Sequence, residues 1–222
     1  MVSRGCPQGG VLSPLLWCLV VDELLARLNG GGVYTQGYAD DICLLAVGKF
    51  PNTVSGPTQW ALHTVEMWCN EFGLSVNPDK TGPVAFTSRR KLQEFYEPRL
   101  FGMTLHRSMS VKYLGVILDS RLTWREHMDV KVRKAHNLLW ACRRAYSVMW
   151  NLRPRVVHRL YISIVRPSVT FASLVQWPGC QTASSKKKLS RVQRLACLGM
   201  RGTMRTTPTN AVEALICLPH WS

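Results

Sequence analysis

Asp40 and Asp41 are adjacent carboxylates between two runs that read as strands, residues 33–37 and 42–47. An aspartate pair at a hairpin tip is poor for burial and well suited to hard divalent cations. Such cations take carboxylate oxygens and commonly keep substrate phosphates as further ligands. Phosphoryl transfer with two metal ions needs such a platform. Taken alone, Asp-Asp is also an ordinary turn pair, because Asp tolerates turn conformations and bonds its own backbone. The flanks argue for more. Ile42-Cys43-Leu44-Leu45-Ala46-Val47 is an unbroken apolar run, which reads as a buried strand. The aspartates are therefore expected at the end of a core element, where geometry is stiff.

Tyr38-Ala39-Asp40-Asp41 resembles the metal-binding signature of reverse transcriptases, in the form found in non-LTR retrotransposons and group II introns. Three more segments match in family order. Arg4-Gly5-Cys6-Pro7-Gln8-Gly9-Gly10-Val11-Leu12-Ser13-Pro14 resembles the motif that precedes the aspartates. Gly73-Leu74-Ser75-Val76-Asn77-Pro78-Asp79-Lys80-Thr81 resembles the Gly-Leu-x-x-Asn-x-x-Lys-Thr segment that follows them. Tyr113-Leu114-Gly115 resembles the primer-grip strand. The resemblance covers residues 4–119. The remainder is similar, more weakly, to the thumb and following helices of insect-type non-LTR elements.

The resemblance implies an RNA-directed DNA polymerase acting on an RNA template, a DNA primer and deoxynucleotides, with two Mg²⁺ ions. The primer 3′-hydroxyl attacks the α-phosphate, and catalysis is mainly positioning and charge neutralisation. Asp40 and Asp41 are implied as metal ligands, with Asp41 the looser. Lys80 is implied as a proton donor to the leaving pyrophosphate or as a phosphate partner. Tyr38 would support the primer end or the turn. Arg4, Gln8 and Gly9 would meet template and nucleotide, glycine allowing close backbone approach. Leu114 and Gly115 would form the primer grip. Lys131, Arg133, Lys134, Arg143 and Arg144, with Trp140 and Trp150 nearby, are candidates for the duplex backbone. Such contacts carry affinity rather than sequence preference and weaken with salt.

One departure matters. The family's palm has another metal-binding aspartate on a strand before the Arg4 motif. The three residues ahead of Arg4 include no acid, and Asp22 and Glu23 lie inside the next helix. No stretch of these 222 residues resembles the family's fingers or endonuclease. The chain is therefore expected to be a fragment of a retrotransposon polyprotein, inactive alone, whose parent copied RNA into DNA. The alternatives are a non-catalytic nucleic-acid-binding remnant and a group II intron-type maturase.

These residues need elements to position them. Ser13-Pro14 signals a helix start, and a helix to about residue 28 should bury Leu12, Leu15, Leu16, Leu19 and Val20. The hairpin follows, then a loop at 48–57 and an amphipathic helix over 58–72 with Leu62, Val65, Trp68 (or Cys69) and Phe72 on one face. Strands are expected at 74–76, 83–87, 100–105 and 111–118. Helices are expected over 124–150, from Pro154 to about 167, over 186–199 and from Pro208, with a break at Trp177-Pro178-Gly179. The fold class is α+β: a partial polymerase palm with an antiparallel sheet (residues 1–122), then an all-α basic thumb region (123–222).

Charge supports this division. The net +15 lies wholly in residues 121–222, which hold 18 Lys+Arg against 3 Asp+Glu, whereas residues 1–120 hold 10 of each. A basic surface of this size fits a phosphate backbone. The 8 cysteines show no zinc-ligand spacing and read as reduced core residues of an intracellular protein, in nucleus or cytoplasm. No apolar run reaches the length of a membrane span.

Overall fold

Proline has no amide hydrogen to leave unsatisfied at a helix start, and Pro14 stands in the first turn of α1 (Ser13–Gly30). The computed structural model describes residues 9–87, 89, 96–145, 154–201, 204 and 206–216. These form helices and three separate two-stranded antiparallel sheets, an α+β fold. The chain divides into two units, Met1–Met109 and Ser110–Ser222. This division falls before residue 122, because the hairpin of residues 110–119 packs with the helices that follow it.

In the first unit, α1 leads to a hairpin of β1 (Tyr34–Tyr38) and β2 (Asp41–Leu45). Val21, Leu24 and Leu28 of α1 meet Val33 and the Ala61, Val65, Trp68 and Cys69 side chains of α2 (Pro51–Phe72). Trp17, Val21, Leu24 and Leu28 follow helical spacing and set the inward face. The stripe expected to be buried is instead turned outward: Leu12, Leu15, Leu16 and Leu19 are between 49% and 65% exposed. Val20 packs only at the margin of the core. Both stripes have helical periodicity, and the position of the hairpin selects between them.

The expected loop at 48–57 is helical from Pro51. The Phe50 amide donates to Thr53 Oγ1 at 3.2 Å, and that hydroxyl donates back to the Phe50 carbonyl at 2.7 Å. Pro51 suits the first turn, while Pro57 inside the helix removes one ladder bond. The expected inward face of α2 is the observed one, and Gly73 caps it in the left-handed region at φ +63. Residues 74–77 and 81–87 are not strands: the Pro83 carbonyl accepts the Ser108 amide at 3.0 Å, but no described strand joins either segment in a ladder. The expected strand at 100–105 folds back on itself as β3 (Arg99–Leu100) and β4 (Met103–Thr104). Phe101 and Gly102, at φ +48 and +76, make the turn, and Leu100 and Leu105 close a small core with Leu62.

The second unit opens on another hairpin, β5 (Ser110–Tyr113) and β6 (Val116–Asp119). The expected continuous strand 111–118 is thus broken at Leu114 and Gly115, both left-handed at φ +47 and +79. Asp119 then starts α3 (Arg125–Ala145). Its carboxylate accepts the Thr123 and Trp124 amides and the Thr123 hydroxyl, each at 2.9 Å. Residues 146–150 of the expected helix lie outside the described residues. Pro154 begins α4 (Pro154–Leu160), which passes through a π-turn at Tyr161–Val165 into α5 (Arg166–Thr170). Ala172, at φ +61, separates this run from α6 (Ser173–Cys180), which crosses the expected break at 177–179. Gly179 permits the close packing there: a Cβ on it would lie 2.6 Å from the Trp124 Cβ. α7 (Ala183–Arg201) starts ahead of Lys186 because Thr182 Oγ1 accepts the Ser185 amide at 3.3 Å. α8 (Thr209–Ile216) follows Pro208 as expected. The core gathers Met128 and Ala135 of α3, Tyr161 and Val165, and Leu189 and Val192 of α7. Cys69 and Cys197 are buried thiols, whereas Cys18 is exposed. Burial pushes Cys197 up to about 11, which makes it unreactive.

Candidate active site

The hairpin tip is a two-residue turn. Tyr38 pairs with Asp41 across the ladder, leaving Ala39 and Asp40 as the connection. Ala39 is left-handed at φ +51, a conformation unfavourable to a residue with a Cβ. A tertiary bond holds it there: the Trp17 indole N–H of α1 donates to the Ala39 carbonyl at 2.6 Å. Sequence spacing gives no hint of this contact, since Trp17 reads only as part of an apolar helix.

Alternation along the ladder sorts the side chains. Val33, Thr35, Gly37, Ile42 and Leu44 face α1 and α2, while Tyr34, Gln36, Tyr38, Asp41 and Leu45 are exposed. β2 is therefore buried on one face only, not on both as its apolar run suggests. Asp40 and Asp41 are exposed. No hydrogen bond or ion pair involves either carboxylate among the described residues. That chemistry fits a hard cation in part. Magnesium is commonly held by one or two carboxylates plus substrate phosphates, and this turn offers two. Among the described residues, no group of three or more His, Cys, Asp and Glu is placed to hold a metal.

The other candidates are scattered. Gly9 is exposed and left-handed at φ +88, whereas Arg4 and Gln8 lie outside the described residues. Lys80 ends a 3₁₀ turn, Pro78–Lys80, and is exposed. Asn77 builds that turn: its Oδ1 accepts the Asp79 amide at 2.9 Å, and its carbonyl accepts the Thr81 hydroxyl at 3.0 Å. In the second unit, Leu114 and Gly115 form a hairpin turn. Lys131, Arg133, Lys134 and Arg144 lie on α3, and all but Lys131 are exposed. The Arg143 side chain and Trp150 lie outside the described residues. Lys131 is only 9% exposed, with Nζ 4.5 Å from the centroid of the Phe171 ring. Burial lowers its pKa below the ordinary lysine value, and the charges of Lys134 and Lys112 lower it further.

Residues 1–118 match the family described as reverse transcriptase (RNA-dependent DNA polymerase). The chain belongs to the reverse transcriptase family. Its similarity to known members extends past the matched region into the helices. It is 28% identical to a 115 kDa protein of the type-1 retrotransposable element R1DM of Drosophila melanogaster, over 96% of this chain and 21% of the relative. It is 23% identical to a retrovirus-related Pol polyprotein from an R1 element of Nasonia vitripennis, over 96% of this chain and 64% of the relative. It is 27% identical to the RNA-directed DNA polymerase from mobile element jockey of Drosophila funebris, over 87% of this chain and 22% of the relative. This reverse transcriptase chain thus spans between about a fifth and about two thirds of these relatives' lengths, and they come from insect non-LTR elements, the type that its C-terminal helices resemble. No solved structure matches it. No helix among its described residues is long and apolar enough to cross a membrane.

Proposed function

We propose that this chain is the palm-and-thumb portion of an RNA-directed DNA polymerase from a non-LTR retrotransposon, working in the nucleus or cytoplasm. Residues 1–122 belong to the palm and 123–222 to a basic helical thumb region. The carrying observation is the turn at Tyr38-Ala39-Asp40-Asp41. It presents two exposed carboxylates with no hydrogen-bond or ion-pair partner among the described residues, on a backbone fixed by Trp17, within the part of the chain that matches the family.

Asp40 and Asp41 would hold Mg²⁺ with further ligands from substrate phosphate and from the longer parent chain. When bound, the metal supplies positive charge to the transferring phosphoryl group. Tyr38, opposite Asp41 in the ladder, supports the primer end beside the carboxylates. Lys80 offers its ammonium to the leaving phosphates. Gly9, with Arg4 and Gln8, lets the backbone approach the nascent pair. The turn at Leu114 and Gly115 holds the primer, and Lys131, Arg133, Lys134, Arg143 and Arg144 follow the backbone of the RNA–DNA duplex.

Primer extension on an RNA template with Mg²⁺ tests the reading. In the full-length element protein, Asp40→Ala should lower extension by about a hundredfold or more, the effect of losing several kcal/mol of charge stabilisation. The 222-residue chain alone should give none. Undiminished extension by the Asp40→Ala protein would reject the assignment. A second reading, a binding module without catalysis, is favoured by the 18 Lys+Arg against 3 Asp+Glu in residues 121–222. It predicts that the chain grips hybrid duplex in filter binding while Asp40→Ala changes no function.

A further inference from the structure

Phe171 stands where three features meet in the second unit. It follows α5, with its amide bonded to the Pro167 carbonyl at 2.9 Å, and its own carbonyl accepts Gln176 Nε2 at 3.5 Å. Ala172 after it is left-handed. These restraints fix the backbone and leave the ring half-exposed. One neighbour is the hairpin turn: a Cβ on Gly115 would lie 3.3 Å from Phe171 Cε1. Another is Lys131, whose ammonium lies 4.5 Å from the ring centroid, within the range of a cation–π contact.

Lys131 has company. Lys134 follows it by one turn on α3 and is exposed, and Lys112 is exposed at mid-strand in β5. Both are near enough for their charges to disfavour the protonated form of Lys131. Among the described residues, none of the three has a carboxylate at ion-pair distance. The nearest carboxylate along α3, Asp129, is paired with Lys188. A buried cation beside two like charges is unfavourable unless an anion joins it. The aromatic face offsets part of that cost and holds the ammonium in place.

We propose that Lys112, Lys131 and Lys134 form a phosphodiester-binding cluster, and that the Phe171 ring positions Lys131 and joins the cluster to the Leu114–Gly115 turn. Ammonium groups act on phosphate as point charges, so the cluster grips backbone without reading bases. Phe171 is a positioning residue that touches no phosphate itself. The choice of a phosphodiester over a free phosphate rests on the nucleic-acid reading above.

The test is anisotropy of the 222-residue chain with a short RNA–DNA hybrid across a KCl series. Lys131→Gln and Lys112→Gln should each weaken binding and flatten the log K against log[salt] slope by about 0.9, the loss of one phosphate contact. Phe171→Leu, which keeps bulk without a π face, should weaken binding with little change in melting temperature. Phe171→Tyr should restore it. Phe171→Leu should add little in the Lys131→Gln background, because both remove one contact. Affinity and slope unchanged in Lys131→Gln and Lys112→Gln would overturn the proposal, as would Phe171→Tyr behaving like Phe171→Leu. NMR of ε-¹³C-labelled lysines in the unsubstituted chain gives a second measurement free of folding defects. The three signals should move on adding hybrid, and their standing still would overturn the cluster. Loss of hybrid binding in Lys131→Gln alongside a full-length protein that extends no primer would leave the cluster standing and remove only the polymerase reading.

Discussion

Trp17 and Asp119 each use a single side chain to fix a backbone on which other residues depend. The Trp17 indole holds the carbonyl of a left-handed alanine beside Asp40. Trp17→Phe keeps the packing and removes the donor, so about 1 kcal/mol of stability should be lost, read as a lowered urea midpoint. Asp119 caps the start of α3. Burial alone would raise its carboxyl pKa, but hydrogen bonds from Thr123 and Trp124 outweigh that and hold it below the ordinary carboxylate value. The folded pKa lies below the unfolded one. The stabilisation is therefore present above the ordinary carboxyl value and lost as pH falls through the depressed one. Asp119→Asn should lower the urea midpoint at pH 7 and leave a smaller gap from the unsubstituted chain at pH 3. Asp40 and Asp41 were legible in the sequence because exposed acids between two strands announce a turn. Trp17 and Phe171 were not, since their roles come from contacts with Ala39, Gly115 and Lys131, far away in sequence.

Elements were legible wherever one periodicity had a single solution. The inward face of α2 follows from Leu62, Val65, Trp68 and Cys69. Its first two turns do not, because Pro51 and Pro57 read as loop residues until the Thr53 cap is seen. Strand patterns hid two tight hairpins, because Phe101-Gly102 and Leu114-Gly115 each put a non-glycine residue at positive φ. Such placement is several-fold rarer than glycine alone, and composition gives little warning of it. The junction from α1 to β1 shows the reverse case, a glycine required by closeness rather than by φ. A Cβ on Gly31 would lie 1.8 Å from the Trp60 ring. Gly31→Ala should therefore cost about 1–3 kcal/mol through overpacking, and a Gly31→Ala, Trp60→Leu double variant should recover most of it in thermal unfolding.

Over the whole molecule, charge is the most legible property. The excess of Lys and Arg after residue 120 is visible in composition alone, and α3 and α7 display it on helices. Hybrid affinity should therefore fall steeply with salt, by about a thousandfold between 50 and 200 mM if at least six phosphates are contacted. A flat salt response would argue against a duplex surface. What composition could not show is the outward turn of Val11, Leu12, Leu15, Leu16 and Leu19. A contiguous greasy ridge of that kind has consequences for handling and turnover. Sedimentation velocity on the isolated chain should report reversible clustering that rises with concentration, and the double variant Leu15→Glu, Leu19→Glu should disperse it without lowering the melting temperature. In a cell, a ridge of this kind left uncovered is what chaperones and proteases triage.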